Sequence, residues 1–469
     1  DTMYCVFIGK AVQTVIPPVN SVGTSQLATD AVTQAKMADD SVGTAEILDT
    51  NVTGAKLNDD AISGQGALGA APADTDEFLV SDAGVLKRVD YSYIKGITQA
   101  NFLPYANPVI INTNMKIAQR STSVAGTTSG GYLTVDRYDF RVSSAGTWTM
   151  TQEALSADEA YEDGFSTAAK MDCTTADASL GAADYIRFHY AIEAQDCQLF
   201  KLGNSGSDTL TLAFWVKATK TGTNVATMIQ SDSSRMCCQA YTVDATDTWE
   251  FKVLNFPADT AGAGINNDNG EGLEIEFNMA SGTNFTSGTL ETTWAAKVNA
   301  NRAVGQVNNA DSTSNNFHIT GVQFEVGEYT SSTLPPFRHE SYGANLQRCK
   351  RYYQMIASGA ILGTNGGYNE RLGGGYFHTS TDFFFDVRLP VELRANPSLE
   401  TVMGTNYIDI NRDNGSDASD NVEFYSTSTY NILSFKCSDN VSGTQGQGGQ
   451  ALIAGHVSQT ARVAVDSEL

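Results

Sequence analysis

The sequence predicts an all-β fibrous protein: a trimeric repeat shaft, then a jelly-roll-type β-sandwich, then a smaller C-terminal β domain. Three observations lead there. Residues 21–62 repeat with a period of ten. Beyond residue 106 the chain is a succession of short strand-like runs divided by polar turns. Charged residues make up only 17% of the 469, and Gly, Ser, Thr, Asn and Asp fill the connections, which suits many short strands with polar turns.

Residues 1–19 read as the end of a preceding domain. The chain opens on TMYCVFIGKAVQTV, with neither an initiator Met nor a signal peptide, and Ile16-Pro17-Pro18 stops any strand there. The shaft, residues 20–63, runs SVGTSQLATD, AVTQAKMADD, SVGTAEILDT, NVTGAKLNDD, AI. Its apolar anchors are Val22, Leu27, Val32, Met37, Val42, Ile47, Val52, Leu57 and Ile62. A step of five rotates each anchor about 140° past the last on a helix, so they form no stripe. On one strand the same odd step sends alternate anchors to opposite faces. A short extended piece followed by a turn fits, with Gly, Asp, Thr and Asn supplying the turn chemistry. Nine aliphatic side chains over some forty residues enclose no core of their own. Lateral association answers this, and the shaft is read as a homotrimer with the anchors on a common axis. A disordered linker is the alternative that low hydrophobicity allows.

Residues 64–105 form a connector, in which FLVSD turns at Ala83-Gly84 into VLKRVD and one helical turn follows. Residues 106–348 hold the expected sandwich, with runs such as DYIRFHYAIE, TLTLAFWVKAT, TWEFKVLNF, LEIEFNM and NFHITGVQFEV. LQRCKRYYQM is briefly helical. Residues 349–469 are then a second β domain whose Gly-rich loops include GTNGGYNERLGGG and SGTQGQGGQ.

Net charge is −24 and the sequence pI about 4.5, opposite to the basic footprint of a nucleic-acid binder and unsuited to an anionic membrane surface. No apolar run approaches the ~18 residues that span a bilayer, so no membrane insertion is expected. Seven scattered cysteines, with the vicinal pair Cys237-Cys238, read as free thiols in a reducing cytoplasm, not as a disulfide framework.

Three stretches resemble the receptor-binding tail fibres of short-tailed bacteriophages, including those of marine bacteria. VFIGKAVQTVIPPVNSVGTSQLATDAVTQAKMADDSVGTAEI resembles the junction of a virion-attachment domain with its shaft. NPVIINTNMKIAQRSTS and VDRYDF resemble the opening of the carbohydrate-binding-module-like sandwich found in such fibres. FHITGVQFEVGEYTSSTLPPFRHESYGANLQRCKRYYQ resembles its exit into the tip. The resemblance implies a homotrimeric virion protein, assembled in the host cytoplasm. Its N-terminal end would meet other phage tail proteins, and its C-terminal end a host surface glycan such as lipopolysaccharide.

No catalytic pattern stands out. The five histidines lie in no HExxH spacing, and no G-x-S-x-G elbow, P-loop or dinucleotide fingerprint is present. A non-enzyme is therefore expected; the alternative is a tailspike with glycan depolymerase activity, which needs two carboxylates across a sugar. No cofactor is expected, although the oxygen-rich loop around Asn266, Asn267, Asp268, Asn269 and Glu271 admits calcium as an alternative to a plain polar turn. Trp215 reads as core beside Phe214, while Trp249 and Trp294 border turns and are candidate sugar-stacking faces, with packing the commoner fate of such residues. The favoured contact surface is the tip, where residues 363–380 offer Tyr368, Asn369, Arg371, Tyr376 and His378. Residues 411–431 add Arg412, Asp413, Asn414 and Tyr425. Flat aromatic faces stack on sugars, and planar polar groups pair with hydroxyls.

Overall fold

Alternating side chains shape nearly all of the molecule. The computed structural model describes residues 2–4, 18–33, 37, 64, 66, 68–69, 72–83, 85–94, 108–359, 370–413, 415–454 and 461–469. The chain divides into two units, residues 1–92 and 93–469.

In the first unit the ten-residue sequence period reappears in the backbone. Ser21 N donates to Pro18 O and Ala31 N to Ala28 O, each at 3.0 Å, and a third turn joins Gln26 N to Gly23 O. Asn20 and Asp30, ten apart, both take the left-handed conformation, φ 67° and 62°, which Asn and Asp tolerate better than other side chains. Val22, Leu27, Val32 and Met37 are about half exposed. Val42, Ile47, Val52, Leu57 and Ile62 lie outside the described residues. Strands β1 (Glu77–Asp82) and β2 (Val85–Asp90) pair as the expected hairpin, and a helical turn starts at Tyr91.

The second unit holds two β bodies. The first comprises β3 (Ser123–Gly131), β4 (Tyr138–Ala154), β5 (Thr167–Thr175), β6 (Tyr185–Glu193), β7 (Leu210–Ala218) and β8 (Gly222–Gln230). It continues with β9 (Arg235–Val243), β10 (Glu250–Phe256), β11 (Glu271–Ser281), β12 (Ala295–Ala296) and β13 (Asn316–Val326). All eleven belong to one antiparallel sheet, ordered β10-β7-β13-β5-β4-β6-β11-β8-β9-β12, with β3 on β4. The sheet curls into a sandwich-like body, bringing β9 beside β10 without pairing them. Alternate residues of β7 (Leu210, Leu212, Phe214, Val216) enter the core, where Phe214 meets Phe277 of β11 and Tyr241 of β9 edge-on at 4.9 and 5.1 Å. A bulge at Gly321, φ 62°, shifts β13 by one residue, so that Phe317 and Ile319 before it and Val322 and Phe324 after it all face inward.

Helix Tyr342–Cys349, N-capped by Ser341, leads into the second body. That body contains β14 (Tyr353–Ser358), β15 (Glu370–Phe377), β16 (Phe383–Arg388), β17 (Ser398–Val402) and β18 (Ile408–Arg412). After these come β19 (Gly415–Ser419), β20 (Glu423–Thr429), β21 (Ile432–Cys437), β22 (Gly448–Ile453) and β23 (Arg462–Asp466). Three strands, β14-β23-β17, and seven, β19-β18-β22-β15-β16-β21-β20, enclose a separate core around Phe377, Phe383, Phe385 and Phe435. Arginines join the two bodies. Arg137, fully buried, pairs with Glu468 and lies 3.4 Å from the Tyr352 ring centre. Arg120 reaches Asp466 at 2.8 Å, and Arg351 reaches Glu193 at 2.7 Å. The six described cysteines are free and buried.

Candidate functional site

The outward face of the seven-stranded sheet carries an aromatic platform. In β16, Phe383 and Phe385 enter the core, so alternation turns Phe384 and Asp386 outward. Phe384 pairs in register with Tyr376 of β15. The ring of Phe384 stacks on His378 at 4.6 Å and 9°, and on its other flank meets Tyr425 of β20 at 4.4 Å and 38°. Tyr376 stands across Phe384 at 6.5 Å and 61°. Tyr425 sits in a β-bulge between Phe424 and Ser426, and both tyrosines keep about half of their surface in solvent.

Beside these rings runs a cleft of about 260 Å³. Gly374 and Gly375 line it, and Asp386 and Ser434 supply its polar wall. Ser434 Oγ donates to Asp386 Oδ1 at 2.5 Å. The cleft therefore offers flat apolar faces, one carboxylate and one hydroxyl, a set suited to the C–H surface and hydroxyl edge of a sugar.

Tyr376, His378 and Tyr425 are thus brought together as a surface. Arg371 is exposed on β15 but does not line the cleft, and Asp413 is an exposed turn residue. Arg412 turns to structural use, donating to Ser442 O at 2.5 Å over the Phe377 ring. Tyr368, Asn369 and Asn414 lie outside the described residues. The tryptophans differ from expectation. Trp294 is 8% exposed and its Nε1 donates to Pro257 O, so the core takes the face expected to stack on sugar. Trp249 is buried likewise, donating to Asp158. Trp215, expected in the core, is only half-buried, because strand alternation that places Phe214 inside must place its neighbour outside. Phe384, Asp386 and Ser434 were missed. The available signal was the alternation in FFFDVR, masked by three consecutive Phe residues.

The oxygen-rich loop is occupied with local bonds. Asn266 pairs with Asp232, Asp268 accepts from Gly270 N, and Asn269 Nδ2 donates to Arg394 O in the distal body. Among the described residues, one group has metal-ligand types close together: His189, Glu271 and Glu274, with ligand atoms within 4.8 Å. Arg141 lies 3.4 Å from Glu274, and His189 Nε2 3.3 Å. Burial raises the Glu274 carboxyl, but the hydrogen bond and charge of His189 outweigh it and hold the group well below the usual range. Burial, with Glu274 beside it, pushes the Glu271 carboxyl up. Arg141 and His189 thus already face the Glu274 carboxylate.

No protein-family model matches the chain, and no curated protein does. Among solved structures, the enzymatically active domain of bacteriophage CBA120 tailspike protein 4 is similar over 47% of this chain at 13% identity and a TM-score of 0.24. That similarity covers 21% of the tailspike chain, so this chain spans about a fifth of its length. A CBM4 carbohydrate-binding module is similar over 34% of this chain and 70% of its own, at 15% identity and a TM-score of 0.19. The module TmCBM61, solved with β-1,4-galactotriose, is similar over 47% of this chain and 99% of its own, at 8% identity and a TM-score of 0.21.

Proposed function

We propose that this protein is a bacteriophage tail fibre whose distal β body binds a host surface glycan without cleaving it. The observation that carries the reading is the half-exposed platform of Phe384, His378, Tyr376 and Tyr425 beside Asp386 and Ser434. A sugar ring stacks there, with its hydroxyls turned to the carboxylate and the serine. The repeat shaft associates three chains, and its proximal end belongs to the virion tail. Three tips on one fibre convert weak single sites into firm attachment.

The test is binding of the full chain to lipopolysaccharides extracted from a panel of marine bacteria, with reducing sugar assayed in the same samples. Saturable binding without sugar release is expected. Tyr425→Ala should weaken it about threefold to tenfold, since one aromatic contact contributes about 0.5–1.5 kcal/mol. Release of sugar would replace the adhesin with a depolymerase. Binding indifferent to Tyr425→Ala would remove the cleft as the site.

A further inference from the structure

A second aromatic cleft lies on the first β body, at the half-buried Trp215. β10 pairs with β7 so that Phe251 stands opposite Trp215, their ring centres 5.4 Å apart. Phe165 and Phe337 meet edge-on at 4.7 Å and form the facing wall, with His339 4.7 Å from Phe337. Gly321 makes the floor. A Cβ there would stand 2.7 Å from the Phe165 ring, so this wall requires glycine at the β13 bulge. The open cleft measures about 280 Å³, near the small end of ligand pockets and suited to one monosaccharide unit.

Of its polar groups, the Gln323 amide is engaged, donating to Glu325 Oε1 and Pro335 O, while three others have no protein partner among the described residues. Among the described residues, Trp148, Trp249 and Trp294 donate their indole N–H groups to Ala145 O, Asp158 and Pro257 O. Trp215 Nε1 has no such partner, and neither do the Asp163 carboxylate and the Ser331 hydroxyl, which also line the cleft. A donor, an acceptor and a hydroxyl thus border a cluster of tilted and edge-on rings. Burial and Lys116 lower the His339 pKa, which favours its neutral imidazole at pH 7, and Asp163 is the acidic residue of the lining.

We propose that this cleft is a second saccharide site, taking one uncharged hexopyranose whose C–H face lies on Trp215 and whose hydroxyls meet Trp215 Nε1, Asp163 and Ser331. Asp163 accepts from a hydroxyl and repels a carboxylated sugar. The site stands on its own residues and does not depend on the distal cleft.

Trp215 reports on it directly, because the other three tryptophans are at most 8% exposed and shielded from a collisional quencher. Acrylamide quenching of the full chain is measured with the methyl pyranosides of glucose, galactose, mannose and N-acetylglucosamine as probes. At least one should protect Trp215 saturably, at millimolar concentration. Asp163→Ala should weaken that protection fivefold or more, whereas Tyr425→Ala should leave it unchanged. Protection by none of the four would overturn the proposal. So would protection that survives Asp163→Ala, or protection that follows Tyr425→Ala.

Discussion

Glu193 closes β6 with its side chain out of solvent, accepting from Arg351 Nε at 2.7 Å and Tyr352 OH at 2.5 Å. Burial pushes its carboxyl up, but these bonds outweigh burial and hold it below the ordinary 4.5. A depressed carboxylate contributes stability that is fully present above its unfolded value and lost as pH falls through the folded one. Glu193→Gln should therefore cost about 2 kcal/mol at pH 7, a figure reduced because Arg351 remains about a third exposed. That difference from wild type should shrink as pH falls below 4.5. Thermal unfolding of both proteins between pH 7 and pH 3 checks this, and a gap that stays constant would show that the Glu193 charge is not its source. At this scale the sequence was partly legible. Tyr376, His378 and Tyr425 stood out as aromatics in Gly- and Ser-rich surroundings, a composition that leaves rings in solvent. Arg412 was misread, because a guanidinium near a turn gives no hint that a carbonyl and a ring will capture it. Trp294 and Trp249 took the packing that stood as the commoner alternative to stacking on sugar, since bordering a turn says nothing about which way an indole folds.

At the scale of elements, β15 makes two neighbouring glycines do opposite things. A Cβ on Gly374 would meet nothing closer than 4.0 Å, so a larger residue there would project into the cleft. One on Gly375 would fall 1.9 Å from the backbone oxygen of Phe384, on the strand paired with it. Gly374→Val should thus abolish glycan binding at nearly unchanged stability. Gly375→Ala should lower the unfolding temperature by several degrees, as about 1–3 kcal/mol of strain does in a domain of this size. Binding isotherms and calorimetry on the two variants separate these effects, and similar behaviour would mean that β15 does not line a site. The elements themselves were largely visible beforehand. The hairpin at residues 77–90 followed from two apolar runs about a two-residue turn. The all-β class followed from alternation and turn composition. Strand order did not, since β13 lies between β7 and β5, and β11 between β6 and β8. Such pairings join segments distant in sequence and are settled by core contacts such as Phe214 with Phe277, which no local window records.

For the whole molecule, the open question of stability lies in the shaft. Ordering a residue costs about 1–2 kcal/mol in backbone entropy, and burying an aliphatic side chain returns about 1.5–3 kcal/mol. With one anchor every five residues, and the four described anchors, Val22, Leu27, Val32 and Met37, 43–55% exposed, a lone chain cannot recover that cost. The proposed trimer would cover the exposed halves against two further copies, and the turns at Pro18–Ser21 and Ala28–Ala31 give Val22 and Val32 equivalent settings for it. An anionic surface, at −24 per chain, disfavours indiscriminate association and leaves the apolar anchors to specify it. Replacing Leu27 and Val32 together by Asp would set carboxylates where the proposed trimer brings the anchors together. Sedimentation should then show one chain in place of three, with the β bodies still folded by circular dichroism. A mass unchanged from that of the parent would remove the trimeric shaft. The avidity argument would fall with it, and each distal cleft would have to hold its glycan alone.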